Sequence, residues 1–136
     1  MEKWRVAFPG QIPSDYYSVL LRNGEKRGLI VELQGLKANV ILDFGCSQAV
    51  RMLDEGIVQN GVYSDEVLQK YQQEHFCDVV YVAENGTFEE EIRNMSLGMW
   101  DTLTDRKHYI VFTQNYCIDI ISWGDPTIDI KLKNNF

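Results

Sequence analysis

The run HYIVFTQNYCIDIISWGDPTIDIKL, residues 108–132, leaves the chain the least freedom. His108–Thr113 and Tyr116–Trp123 are two β-rich runs separated by Gln114-Asn115, the pattern of a hairpin. Gly124-Asp125-Pro126 then forces a turn. Beyond it Ile128, Ile130 and Leu132 alternate with Asp129, Lys131 and Lys133, as in an edge strand with one wet face. Whatever the rest does, it must pack on at least three strands contributed by this segment.

The amino-terminal part continues in the same vein. Tyr16–Arg22 and Arg27–Gln34 flank Asn23-Gly24, a turn signal, and so read as paired strands. Leu36, Ala38, Val40, Leu42 and Phe44 recur at period two and predict one buried face of a further strand. Ala49–Asp54 reads as a strand because Gly45 and Gly56 leave little room for a helix, and Asp78–Glu84 as a short buried strand. Two helices interrupt the pattern. Ser64-Asp65-Glu66 is a helix start, followed by an apolar stripe at Val67, Leu68, Tyr71 and His75. In NGTFEEEIRNMS, Thr87 and Glu90 match a capping box, and Phe88, Ile92, Met95 and Met99 share a face. The expectation is a single α+β domain over 1–136: a mostly antiparallel sheet with about two helices packed on it.

Charge is distributed unevenly. The chain carries a net −7, but residues 51–105 alone hold three Lys/Arg against twelve Asp/Glu, while the segments on either side are each +1. Such a field repels nucleic acid and anionic membrane and attracts basic proteins. A hydrophobic fraction of 45% marks a folded chain, not an acidic tail. No stretch approaches the roughly 18–20 apolar residues of a membrane span, and MEKWRVAFPG lacks a signal-peptide core. Cys46, Cys77 and Cys117, odd in number and widely spaced, read as buried free thiols. Together these features predict a cytoplasmic protein.

Chemistry is sparse. Glu89, Glu90 and Glu91 cannot converge on one metal ion, because successive helix residues point about 100° apart. His75 and Cys77 stand without the companions a zinc site needs. His108 and Cys117 lie on the two strands of the predicted hairpin, and a catalytic pair there would still need an orienting partner and a pocket. Phosphate-cradling glycine motifs, a nucleophile elbow and HExxH are absent. The expectation is therefore no enzyme, no cofactor and no metal. Asp119, between Cys117 and Ile121 on one strand face, reads equally as a solvated residue or as a carboxylate at a binding surface. Trp100 beside Asp101 reads as core or as an interface anchor.

A small acidic α+β chain with this middle segment and this aromatic-rich carboxyl-terminal hairpin and edge strand resembles the immunity proteins of bacterial contact-dependent growth inhibition and other polymorphic toxin systems. The resemblance implies that it binds and neutralises a cognate toxin, frequently a basic nuclease, with no direct contact to nucleic acid or membrane. On that basis the toxin-binding residues are expected among Asp54, Glu55, Asp65, Glu66, Glu84, Glu89, Glu91, Trp100, Asp101 and Asp119. The alternative is a small enzyme or ligand-binding domain whose pocket lies between sheet and helices, with His75, His108 or Cys117 inside it.

Overall fold

A computed structural model of the chain describes residues 1–57, 62–73, 78–102 and 106–133, apart from the side chains of 57, 101 and 102. His75 and Cys77 lie outside that set. Within it the fold is α+β and almost entirely antiparallel. The strands are β1 (Lys3–Val6), β2 (Ser18–Gly24), β3 (Gly28–Gln34), β4 (Ala38–Gly45), β5 (Ser47–Asp54), β6 (Val80–Glu84), β7 (Arg106–Phe112), β8 (Tyr116–Trp123) and β9 (Thr127–Leu132). The helices are α1 (Asp65–Gln73) and α2 (Thr87–Met95), with 3₁₀ turns at Glu55–Ile57 and Met99–Thr102. Among the described residues no helix is long and apolar enough to cross a membrane.

The strands divide between two sheets, ordered β1-β6-β7-β8-β5 and β2-β3-β4-β9. The sequence suggests one sheet; the switch occurs because β4 and β5, though contiguous, take different partners. β4 pairs with β9, and β5 pairs with β8. Gly45, at φ 64, sits at this corner, opposite a bulge between Leu29 and Ile30 of β3. Gly28 faces it so closely that a Cβ there would lie 2.0 Å from the Gly45 carbonyl oxygen. Only glycine fits that approach.

Period-two alternation explains the layering. Leu29, Val31 and Leu33 of β3 and Val40, Leu42 and Phe44 of β4 point inward against Val82, Val111, Ile118 and Ile120 of the larger sheet. Leu36, expected on that stripe, lies before β4 and is exposed. The larger sheet is apolar on its other face too, so β8 is buried from Cys117 to Ser122. That second face carries the helices. Trp4 packs there against Tyr63, Tyr71 and Tyr81, and the Tyr71 hydroxyl donates to the Trp4 carbonyl at 2.9 Å. Phe88, Trp100 and Ile121 form a third apolar cluster under α2. Each fully buried aliphatic side chain stabilises this arrangement by roughly 1.5–3 kcal/mol.

Two helix details differ from expectation. Gly86, not Thr87, is the N-cap of α2, with no side-chain cap; the Thr87 hydroxyl donates instead to the Val62 carbonyl. The capping box is therefore not formed, because tertiary pairing to the loop before α1 takes its hydroxyl. Nor does the stripe run on: Phe88 is buried and Ile92 half-buried, but Met95 and Met99 are exposed. The helix stops at Met95, and Leu97 (φ 52) and Gly98 (φ 89) turn the chain away.

The predicted hairpin is β7–β8, closed where the Thr113 amide donates to the Tyr116 carbonyl at 2.9 Å. After β8, Asp125 accepts from Lys107 Nζ at 2.7 Å and from the Tyr109 hydroxyl, which pins the turn into β9. The Lys107 hydrogen bond, then that of Tyr109, holds the Asp125 carboxyl below its ordinary range against the opposing effect of burial. A depressed folded pKa stabilises above the unfolded value, about 3.9, and that stabilisation disappears as pH falls through the folded one. The gap in urea midpoint between the wild type and Asp125→Asn is expected to be constant above about pH 5 and to close below about pH 4. A gap that widens on acidification would contradict this pairing.

Candidate functional site

Alternation in β8 places Cys117, Asp119 and Ile121 on the helix-covered face. Asp119 is therefore not at the surface, as a toxin-binding role requires, but 0% exposed. Antiparallel pairing sets Arg51 of β5 directly opposite it. Arg51 donates to Asp119 Oδ2 through Nε at 3.1 Å and Nη2 at 2.8 Å. The Tyr63 hydroxyl, from the loop before α1, donates to the same oxygen at 2.8 Å. On β7, His108 lies diagonally across, and its Nε2 reaches Asp119 Oδ1 at 2.8 Å. The buried carboxylate thus has four hydrogen bonds, enough to offset much of its desolvation.

The surroundings reinforce this centre. The Arg51 guanidinium lies 4.7 Å from the Phe88 ring centroid and 5.7 Å from that of Tyr63. Burial would lower the Arg51 pKa, but the Asp119 charge and hydrogen bonds outweigh it and raise it. Burial first, then Asp119, keeps the Tyr63 hydroxyl protonated far above its ordinary range. Behind His108, its Nδ1 and the Glu2 Oε2 both lie 2.9 Å from where a Cβ on Gly86 would stand, and neither has a hydrogen-bond partner among the described residues. Glu2 Oε1 accepts from the Ser64 amide at 2.5 Å, so the same glutamate ties the start of α1 to β1.

An aspartate–histidine pair is familiar from catalysis, yet His108 is 2% exposed. The closed centre orients Tyr63, Arg51 and α2 and joins them to the sheet. Cys117 does not approach His108: it faces Phe112, four residues further along β7, about 13 Å away at strand rise. Burial, then the charges of Asp119 and Glu55, pushes its thiol up to about 12. Cys46, expected to be buried, is exposed because it occupies the corner between sheets. In a Cys77→Ser background, a disulfide reagent at pH 8 is expected to titrate Cys46 at once and Cys117 only as fast as the protein unfolds. Rapid titration of both thiols would show that the centre opens.

The acids expected to bind a toxin do not form one patch. Asp54 and Glu55 stand at the Tyr116 end of the larger sheet, whereas Glu84 pairs with Lys3 at its opposite end. Asp65 and Glu66 open α1 and are exposed. The Thr87–Val62 and Ser64–Glu2 hydrogen bonds bring the starts of α1 and α2 together, so these acids share a region with α2. Glu89 is mostly covered and pairs with Arg93 at 3.9 Å, while exposed Glu91 pairs with Arg51 at 3.8 Å. Trp100 is not a free anchor: it is 8% exposed beneath Arg93 and Arg106, at 5.6 and 4.8 Å from the ring. The side chain of Asp101 lies outside the described set.

Arg51, Tyr63 and Glu2 were not singled out by sequence reasoning. The one available signal was Asp119 itself, a charge on an otherwise apolar strand face, which required a partner that only long-range pairing supplies. A scan against protein-family models, a search of the curated proteins and a search of the solved structures return no match to this chain.

Proposed function

We propose that this chain neutralises a basic protein toxin by binding it, as immunity proteins of bacterial polymorphic toxin systems do. The observation that carries this reading is the joined amino-terminal ends of α1 and α2, which present exposed Asp65, Glu66, Glu90 and Glu91 beside Glu84 over a closed, rigidly hydrogen-bonded interior. Helix amino termini and carboxylates are opposite in sign, so the acids sit there at little cost while their outward field remains. That field steers a cationic partner and speeds encounter. Against a nuclease, the carboxylates would occupy the positions its substrate phosphates take. The test is co-expression with the carboxyl-terminal domain of a toxin encoded directly upstream. Survival with this chain, and death without it, is the expected result. Equal killing in both strains would overturn the proposal.

A further inference from the structure

At the far end of the sandwich from those helix starts, the two sheets gape around a cleft of about 590 Å³, within the range of ligand sites. One wall is the connection from β1 to β2, including Phe8, Asp15, Tyr16 and Tyr17. The others are the β3–β4 turn at Leu36-Lys37, Glu55 just after β5, Asp78, and the β7–β8 turn. Among the described residues its charged lining is three carboxylates, Asp15, Glu55 and Asp78, against the ammonium of Lys37. The walls are held open by the chain itself. Asp15 Oδ2 accepts from the Lys37 and Ala38 amides at 2.7 and 3.2 Å, and the Tyr17 hydroxyl donates to the Pro13 carbonyl at 2.6 Å. Of the lining residues, Tyr16 is 75% exposed and Leu36 69% exposed, leaving two large apolar groups open to solvent at this cleft.

We propose that this cleft is a second recognition site, which receives an arginine side chain on an extended segment of a protein partner. Carboxylates and aromatic rings on one lining, exposed Glu55 and half-buried Asp78 among them, are the complement of a guanidinium, which pairs with carboxylates in its plane and stacks on rings. The exposed rim favours a peptide over a free small cation, because Tyr16 and Leu36 would be covered only by chain flanking the arginine. The site is remote from Asp65, Glu66 and Glu84, so it stands or falls separately from the proposed toxin-binding face.

The experiment is an NMR titration of the intact protein with acetyl-Gly-Arg-Gly-amide, its citrulline counterpart and free agmatine. Saturable shifts at the amides of Tyr16, Leu36, Lys37 and Gln114 are expected with the arginine peptide, at least tenfold weaker with citrulline and with agmatine. Asp78→Lys is expected to abolish them, and Tyr16→Ala, a change at an exposed side chain that leaves the fold alone, to weaken them severalfold. Asp65→Lys/Glu66→Lys/Glu84→Lys is expected to leave them in place. Citrulline binding as well as arginine would remove the charge basis, and agmatine binding as well as the peptide would make the site one for a small cation. Shifts that instead map to the helix amino ends, or a concentration-dependent dimer that covers the same amides, would also overturn the proposal.

Discussion

Asp119→Ala is expected to cost about 3–5 kcal/mol in urea-monitored unfolding. The reason is what remains behind. Arg51, Tyr63 and His108 all direct donors at that carboxylate, and Asp119 and His108 are at most 2% exposed. Deleting the acid leaves the guanidinium with only the longer contact to exposed Glu91 and two further polar groups without this acceptor, so much of the desolvation already incurred is no longer offset. Asp119→Asn retains the shape but loses the charge and is expected to fall between wild type and alanine. Arg51→Met replaces the cation with a flexible apolar chain, and on its own it leaves a buried carboxylate held by Tyr63 and His108. Combining it with Asp119→Leu is expected to recover much of the loss, since an apolar set of similar volume often equals a buried ion pair. A double-mutant cycle between Arg51 and Asp119 measures their coupling directly. A loss below about 1 kcal/mol for Asp119→Ala would mean that the centre does not hold the helices to the sheet.

The second large effect concerns affinity. Reversing Asp65, Glu66 and Glu84 to lysine is expected to weaken binding to the cognate toxin domain by at least a hundredfold at low salt, mostly through slower association. All three are exposed, and none is in a salt bridge among the described residues, so the fold should stay intact, losing about 0.3–1 kcal/mol for each lysine placed in the first turn of α1. Glu89 and Glu91 are poorer choices because their reversal would place lysine against Arg93 and Arg51. Asp129→Lys, on exposed β9 of the other sheet, is the matched control and should change little. The difference between wild type and triple variant should shrink as salt rises, since the Debye length is only about 10 Å at 0.1 M. Unchanged affinity of the triple variant would show that these acids are not the interface.

The two kinds of effect mark different degrees of legibility. Strands with strict alternation, β4 and β9 above all, were readable because period-two burial is a local property of the chain. β5 was readable by exclusion, from the glycines that bound it. The α2 capping box was misread because its sequence signature is local while the Thr87 hydroxyl has a better partner in Val62, reached only after folding. Glu89, Glu90 and Glu91 could be denied a common metal from helix geometry alone. The Glu89–Arg93 pair follows from i, i+4 spacing, but the Arg51 partner of Glu91 could not be inferred, because Arg51 comes from another element.

The site residues follow the same division. Asp119 stood out in the sequence as a charge on an apolar face, but its choice between solvent and partner depended on what covers that face. Trp100 read as core with an interface anchor as the alternative, and its burial beneath Arg93 and Arg106 is that of a core residue. The cleft was invisible, because its walls come from five separate stretches between residues 7 and 114 that meet only when the sheets stack.

By itself, then, the sequence determined an antiparallel α+β domain, two amphipathic helices and an acidic middle, all consequences of patterns that repeat within a few residues. Only the tertiary structure decided that the strands form two sheets, that Asp119 lies sealed among Arg51, Tyr63 and His108, and that the acids part to opposite ends. Each of those depends on which distant segments pair, and a buried charge is stable only where such pairing brings its partners to it.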